Sequence, residues 1–459
     1  MPFTRRRLEA LAAIVLAGTT SLTSCVVEET LGAASDDVDA GSASAGDAAR
    51  SNGDAGAMDA PPDAPEPRPA PRVECPAAGP CVVALRAPAA AWTVDRTAPL
   101  GVLPALSETF CALLASGKVA CWGDNRRGQL GRSTDEAVSG PGFVSDLYGA
   151  VDLDRGCAVL ADGHVKCWGP FVSPGLESSD GDASAPRART LAVSPVKRIR
   201  MSGEIACALL ADDHVACWGL ARASGQISYV PEDASDGGVF GPANVPLPST
   251  TGPVTDIALG APSFENANGF QGEPFGGATF VLLPNGTALS WGDNRSLGRT
   301  SSLIPDPSPA PIDLSDVSEM SAAGAAVCAI ARGNVSCWGH RGSEPEQMGI
   351  YDAVSVATAG PAPFGRGCAV VRSGDVYCWG TNDLGQAGDG TDSIAPVPVK
   401  VVGLPQAAVA VEVTQNSSCA LLVNGDVHCW GDASSCQLGR EVPSGNSFVP
   451  LRVTLPEGP

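Results

Sequence analysis

One short phrase, Cys-Ala-Leu-Leu-x-x-Gly-x-Val-x-Cys-Trp-Gly, runs seven times through this chain of 459 residues. The copies are Cys111–Gly123, Cys157–Gly169, Cys207–Gly219, Phe280–Gly292, Cys328–Gly339, Cys368–Gly380 and Cys419–Gly431, and seven of the eight tryptophans hold the same place in them. A repeat of this period means a ring or stack of equal units, none of which buries its apolar face alone. Function in such a chain is therefore sought on a shared surface before it is sought in a single motif.

Spacing inside the phrase predicts an antiparallel hairpin. In six copies the framing positions are ten apart, which places a three-residue loop at the midpoint, Ala115-Ser116-Gly117 in the first copy. The third residue of such a loop takes positive φ, where glycine costs least. Gly117, Gly163, Gly286, Gly374 and Gly425 occupy it, with Asp213 the one substitute. The fifth copy is one residue shorter, so its midpoint falls between Arg332 and Gly333. A two-residue turn there keeps Cys328 opposite Cys337.

Opposed residues on adjacent antiparallel strands lie about 4.5–5.5 Å apart at Cα, within disulfide reach. The expected bridges are Cys111–Cys121, Cys157–Cys167, Cys207–Cys217, Cys328–Cys337, Cys368–Cys378 and Cys419–Cys429. The fourth copy lacks both partners together, with Phe280 and Ser290 in their places. A metal reading is weak, because the pairs lack C-x-x-C spacing and the chain has only four histidines. Neither metal nor cofactor is expected. Each bridge closes a short loop and stabilises by at most roughly 3 kcal/mol through chain entropy. Cys25, Cys75, Cys81 and Cys436 are left over. With Cys25 set aside for lipid attachment, either Cys75 pairs with Cys81, the favoured arrangement, or one of them reaches Cys436; both leave one free or intermolecular thiol.

Such cysteine use implies an oxidising compartment, and the N-terminus agrees. Arg5-Arg6-Arg7 precedes the short apolar stretch Ala10–Gly18, too short to span a bilayer as a mature helix. Leu22-Thr23-Ser24-Cys25 follows, resembling the bacterial lipobox. Residues 1–24 then form a lipoprotein signal peptide and Cys25 the lipidated residue. Val26 behind it fits sorting to the outer membrane or cell surface of a Gram-negative bacterium. Residues 25–72 are rich in Ala, Asp, Gly, Ser and Pro, with almost no large apolar side chains. Such a segment buries too little surface to offset its ordering entropy and reads as a disordered acidic tether.

Residues 73–459 hold the hairpins, each accompanied by two further short apolar segments, such as Pro396–Val399 and Val409–Val413 before the last. Four strands per unit and seven units suit an all-β, seven-bladed β-propeller with disulfide-stapled hairpins. Behind Trp-Gly comes Asp124-Asn125-Arg126-Arg127-Gly128-Gln129-Leu130-Gly131, repeated in Thr381–Gly390 and partly in Cys436–Gly439 and Asn294–Gly298. This pattern resembles the repeat of the regulator of chromosome condensation family, and the resemblance implies the same seven-bladed propeller. A ring must close, and Val449–Val453 is expected to pair into the blade of Cys111–Cys121 as a latch.

The gap from Trp218 to Trp291 exceeds all others, with the surplus in about Leu220–Ala243 and Ala261–Gly277. Up-and-down strands would put both on the face opposite the glycine turns. They hold Tyr229, Phe240, Phe264, Asn266, Phe270 and Phe275, a concentration of aromatics in a chain that is 5% aromatic, which makes these six the candidate ligand-binding residues. The competing reading is a plug over the ring or a tolerated insertion. His164 and His214 fill a repeat position open to any polar group, and no catalytic residue is identified.

A net charge of −21 argues against nucleic acid or an anionic lipid surface as partner. The expected function is a monomeric, non-catalytic binding or scaffold propeller that touches the membrane only through its lipid and recognises an extracellular protein or glycan. The alternatives are a polysaccharide-active enzyme (lyase or hydrolase) or a secreted-type enzyme inhibitor. Clustered aromatics without convergent titratable groups would favour binding, and a dense acidic constellation in the channel would favour catalysis.

Overall fold

The computed structural model describes residues 69–87, 108–169, 188–220, 239–260, 277–360 and 365–457, apart from 127, 134–135, 194, 203–204, 250, 340–341 and 441–444. Within these, seven four-stranded antiparallel sheets follow one another along the chain. The first blade runs from an inner strand, Val82–Arg86, through a hairpin, Thr109–Leu114 and Val119–Asp124, to an outer strand, Val138–Phe143. The other inner strands are Ala150–Asp154, Val196–Ser202, Asp256–Leu259, Val317–Ala323, Ala353–Ala359 and Ala408–Val413. The hairpins form as their spacing requires: Cys111 pairs with Cys121, Cys207 with Cys217, and Phe280 with Ser290. Gly117, Gly163, Gly286, Gly374 and Gly425 take φ between +76° and +86°, and Asp213 takes +70°. In the shortened fifth copy Arg332 and Gly333 both have positive φ, +52° and +74°, the two-residue turn that matches strand twist.

All six expected hairpin disulfides are present, with Cα–Cα separations of 4.0–4.1 Å. Cys75 pairs with Cys81 at 5.6 Å. Cys436 is also disulfide-bonded and no described cysteine is free; the expected leftover thiol is therefore not found. Cys436 stands where two of its three sister loops have glycine, Gly128 and Gly385, keeps the glycine-like φ of +58° and is buried.

The expected latch is not how the ring closes. Asn446–Arg452, which contains Val449, is the outer strand of the last blade and pairs with Val427–Asp432. Segments such as Ala395–Lys400 belong to the hairpin before them, not the hairpin after. The first blade needs no borrowed strand, because Val82–Arg86 already covers the inner edge of its hairpin. First and last blades instead meet by packing and polar contacts. Glu74 N donates to Val423 O (2.6 Å), Val82 N to Gly425 O (3.1 Å) and Arg86 pairs with Glu412. Val82, Leu85, Phe110 and Trp122 share one apolar cluster with Leu421, Val427 and Leu438.

The Gly-Gln-Leu-Gly loops seal the rim. The loop of one blade reaches over to the tryptophan of the next, whose indole N–H donates to a loop carbonyl. Trp168 donates to Gln129 O, Trp338 to Ser296 O, Trp430 to Gln386 O and Trp122 to Gln437 O, at 2.8–3.0 Å. The residue after each acceptor, Leu130, Leu297, Ala387 or Leu438, is buried between that tryptophan and the framing pair of its own blade.

Candidate functional site: the axial channel

Register carries the hairpin phrase onto the inner strands. The residue paired with the first framing position is Arg86, Asp154, Arg200, Ala258, Ser321, Ala357 and Glu412 in successive blades. All but Ala357 line an axial cavity of about 350 Å³. Read round the closed ring, Glu412, Arg86, Asp154 and Arg200 alternate in sign over four consecutive blades, and the remaining three positions carry small side chains. Two residues back along the strands, Asp152, Arg198, Asp256, Glu319 and Ser355 occupy the next level.

Each charge in this array is tied across a blade seam. Arg86 Nη1 lies 3.3 Å from Glu412 Oε1. Arg200 bridges its two neighbours, to Asp152 Oδ2 at 3.0 Å and Asp256 Oδ1 at 3.2 Å. Carboxylates also accept backbone N–H groups from the following blade: Asp152 from Ile199 (3.3 Å), Asp154 from Met201 (2.6 Å) and Glu319 from Val356 (3.0 Å). Ser355 Oγ donates to Glu319 (3.1 Å), and Ser321 Oγ accepts from Thr358 N (3.1 Å). An inner strand has an unpaired edge towards the axis, so these side chains satisfy donors that no further strand can reach.

Burial governs the acidities. It raises Asp154 against the opposing pull of Arg155 and Arg200, and raises Glu412 against Arg86. Glu319 is pushed up to about 7, burial outweighing the hydrogen bonds from Val356 and Ser355. Arg200 is depressed by burial, but Asp152, Asp256 and Asp154 outweigh that and leave it raised. Arg155 crosses from the second blade towards the fifth, its Nη2 3.5 Å from Ala322 O, and its buried Nη1 has no acceptor among the described residues. Burial lowers its pKa, while Asp154 and Glu412 support its charge.

Chemically, the array offers alternating charge and one unpartnered guanidinium nitrogen. The channel serines Ser321 and Ser355 are already engaged, and Ser318 Oγ is directed to Ile330 O (3.4 Å). His164 and His214 sit exposed beside the hairpin turns, each next to the aspartate two residues before it. Among the described residues no group of three or more His, Cys, Asp or Glu side chains is placed to hold a metal ion. The acidic constellation that would favour catalysis is not what the described channel holds: its carboxylates are interleaved with arginine.

Of the sequence-derived ligand candidates, Phe240 falls in the outer strand Val239–Asn244, its backbone paired with Gly219. The first surplus segment is thus partly blade. Tyr229, Phe264, Asn266, Phe270 and Phe275, with Cys25, lie outside the described residues. The strand ends flanking both segments are as expected. Leu220 pairs with Val239 and Leu259 with Thr279, at the ends of neighbouring blades opposite the glycine turns. Sequence reasoning missed the channel charges. Their signal was the residue that pairs with the first cysteine from the inner strand, hidden by variable turn lengths.

Residues 373–421 and 107–129 match the regulator of chromosome condensation (RCC1) repeat. A segment of 90 residues is 33% identical to the human E3 ubiquitin-protein ligase HERC2, spanning 19% of this chain and 2% of that protein. Among solved structures, Prp20p from Saccharomyces cerevisiae, described with its binding properties to Gsp1p and histones, superposes with a TM-score of 0.56 at 18% identity over 73% of this chain and 86% of that one. Human WBSCR16 gives 0.60 at 15% identity, over 74% and 95%. At these identities the likeness establishes the fold.

Proposed function

For a chain built of regulator-of-chromosome-condensation repeats, we propose a binding propeller held at a bacterial envelope, recognising an extracellular protein or glycan through the face opposite its glycine turns. The observation that carries this is that the two surplus segments of the longest repeat gap leave neighbouring blades at strand ends on one face, opposite the glycine turns. Protein recognition by a yeast propeller of the same fold supports the class of activity. The channel supports it from the other side. Its carboxylates, with Ser321 and Ser355, are committed to contacts across blade seams and Ser318 to its own blade, whereas acid–base or nucleophilic catalysis needs such groups aimed at a substrate.

Attachment rests on Leu22-Thr23-Ser24-Cys25 and the acidic tether, and the oxidising compartment on the hairpin disulfides. Lipidation of Cys25 and complete pairing of all sixteen cysteines exclude each other. Mass spectrometry of the exported protein decides this: a diacyl thioether with an odd thiol supports the anchor, and a fully bridged, unmodified chain sinks it. The binding reading is tested by affinity capture from envelope fractions, comparing residues 73–459 with the same chain lacking 261–276. The expected result is a specific protein or glycan retained only by the first. Capture of nothing by a folded, bridged protein would overturn stable recognition.

A further inference from the structure

Seven tryptophans repeat round the ring, and six of them have an interaction partner. Four donate to a loop carbonyl of the preceding blade, and Trp218 and Trp291 are also engaged. Trp379 is the exception: no acceptor for its N–H is found among the described residues. The blade before it, the fifth, passes from Trp338 to its outer strand Glu346–Gln347 without a Gly-Gln-Leu-Gly loop, and that strand has only two residues. The apolar cluster at this seam contains Cys328, Ile330, Val356 and Trp379 but, among the described residues, no side chain from the connection between Trp338 and the outer strand. A cavity of about 230 Å³ stands there instead, walled by Cys328, Cys337, Met348, Trp379, Pro396 and Pro398. Cys337 is only partly buried, unlike Cys121, Cys167, Cys217, Cys378 and Cys429 in the same repeat position, which are 0–6% exposed.

The four filled seams define what this cavity fits. Each receives a tight turn that gives one main-chain carbonyl to the indole, then a Leu or Ala side chain to the space beside the framing pair, then a glycine. Those glycines, Gly131, Gly298, Gly388 and Gly439, have φ of +64° to +68°. In the first three a Cβ would fall 2.5–2.8 Å from the tryptophan ring, so only glycine lets the turn lie against the indole.

We propose that the seam between the fifth and sixth blades is a docking socket for a partner polypeptide that presents an exposed turn of a small aliphatic residue followed by glycine. The partner turn supplies Trp379 with the carbonyl that the chain's own loops supply elsewhere. This site lies at the rim between the fifth and sixth blades, away from the third and fourth blades that carry the surplus segments, and does not depend on the reading proposed above.

The test uses a cyclised peptide of residues 382–389, Asn-Asp-Leu-Gly-Gln-Ala-Gly-Asp, titrated into the full chain while indole N–H resonances are followed by NMR, with Trp379 assigned through Trp379→Phe. The expected result is a shift of the Trp379 signal alone. Binding should weaken about tenfold when the glycine equivalent to Gly388 is replaced by L-alanine or when Trp379 is phenylalanine, the worth of one hydrogen bond or one steric misfit. A second chain, in which residues 339–345 are replaced by the sixth blade's own connection 380–394, should fold with its socket filled and show no response. A Trp379 resonance unmoved at millimolar peptide, binding indifferent to the alanine peptide, or undiminished binding by the grafted chain would each overturn the proposal.

Discussion

The seam between the sixth and seventh blades and the one immediately before it use the same repeat but are sealed to different depths. In the former, Gln386 O collects three donors: Trp430 Nε1 at 2.8 Å, Ser418 Oγ at 2.9 Å and Arg366 Nη2 at 2.9 Å. Arg366 is fully buried and also reaches the carbonyls of Thr414 and Ser417. Beyond that turn, Glu108 of the first blade accepts from Thr414 Oγ1 and Asn416 N, so one polar chain crosses three blades. Among the described residues, the seam between the fifth and sixth blades has the inner half of this construction, Glu319 against Ser355 and Val356 and Ser321 against Thr358, without the rim loop. Inner-strand clamps are thus enough to hold neighbouring blades together. The rim loop is an added seal, and a seam without it is where local opening should cost least.

The comparison breaks most sharply at Arg366. Arg366→Ala strands several buried carbonyls and opens a cavity, with an expected loss of about 3–5 kcal/mol. Nothing of that size is available at the rim of the neighbouring seam. Denaturant melts of the two sets of variants check this, and a loss below about 1 kcal/mol at Arg366 would show that the buried chain is not what holds the closing blades. Asn382→Ala is the next largest. Asn382 Oδ1 accepts from Ala387 N (2.7 Å), and its Nδ2 donates to Ser393 O (2.9 Å), so the substitution should loosen the loop at a cost of about 2 kcal/mol. Hydrogen exchange at the Trp430 indole should accelerate while Trp379 stays unchanged. Equal effects on the two tryptophans would mean that the seams are not independent.

What was legible in the sequence follows the length scale of the interactions. Hairpins, turn residues and disulfides rest on contacts within about ten residues, and the shortened fifth copy kept its register as the spacing required. Ownership of the outer strand was misread because Val449–Val453 is equally apolar whichever hairpin it serves; only its pairing with Val427–Asp432 decides. The Gly-Gln-Leu-Gly motif was visible, but its use was not, since the tryptophan it covers lies one blade further on. Arg366 occupies a repeat position where Thr109 and Ser417 stand in other copies, so nothing local marks it as the hub of a buried network. The channel alternation became readable only once Arg86 and Glu412, at opposite ends of the folded part, were brought to 3.3 Å.

A smaller effect is expected in the chemistry of the bridges. Cys328–Cys337 borders the open seam, and its second sulfur-bearing residue is only partly buried. The other hairpin bridges are covered at both cysteines. Thiol–disulfide exchange depends on access, so limited dithiothreitol followed by alkylation and peptide mapping should open Cys328–Cys337 before the other five. Grafting the sixth-blade loop into residues 339–345 should abolish the preference. Simultaneous reduction of all six would show that whole-ring opening, not the missing loop, controls access.

The smallest effect tests the half of the open seam that remains. Glu319 has its pKa pushed up to about 7 by burial, from an ordinary value of 4.5. The folded chain therefore keeps a proton that the unfolded chain releases, and this linkage favours folding fully below pH 4.5 and is lost as the pH climbs through about 7. Thermal stability should fall between pH 5 and pH 8 in the native protein. Glu319→Gln, which keeps the hydrogen-bonding shape without titrating, should flatten that slope. It should not remove it, because burial also pushes Glu108 in the closing seam up to about 7. Removing both carboxylates as Glu108→Gln and Glu319→Gln should flatten the slope further, and the difference between single and double variants apportions the pH response between the sealed and open seams. A slope carried wholly by Glu108 would mean that the inner clamp at Glu319 is hydrated and already ionised, and that the seam is open down to the channel.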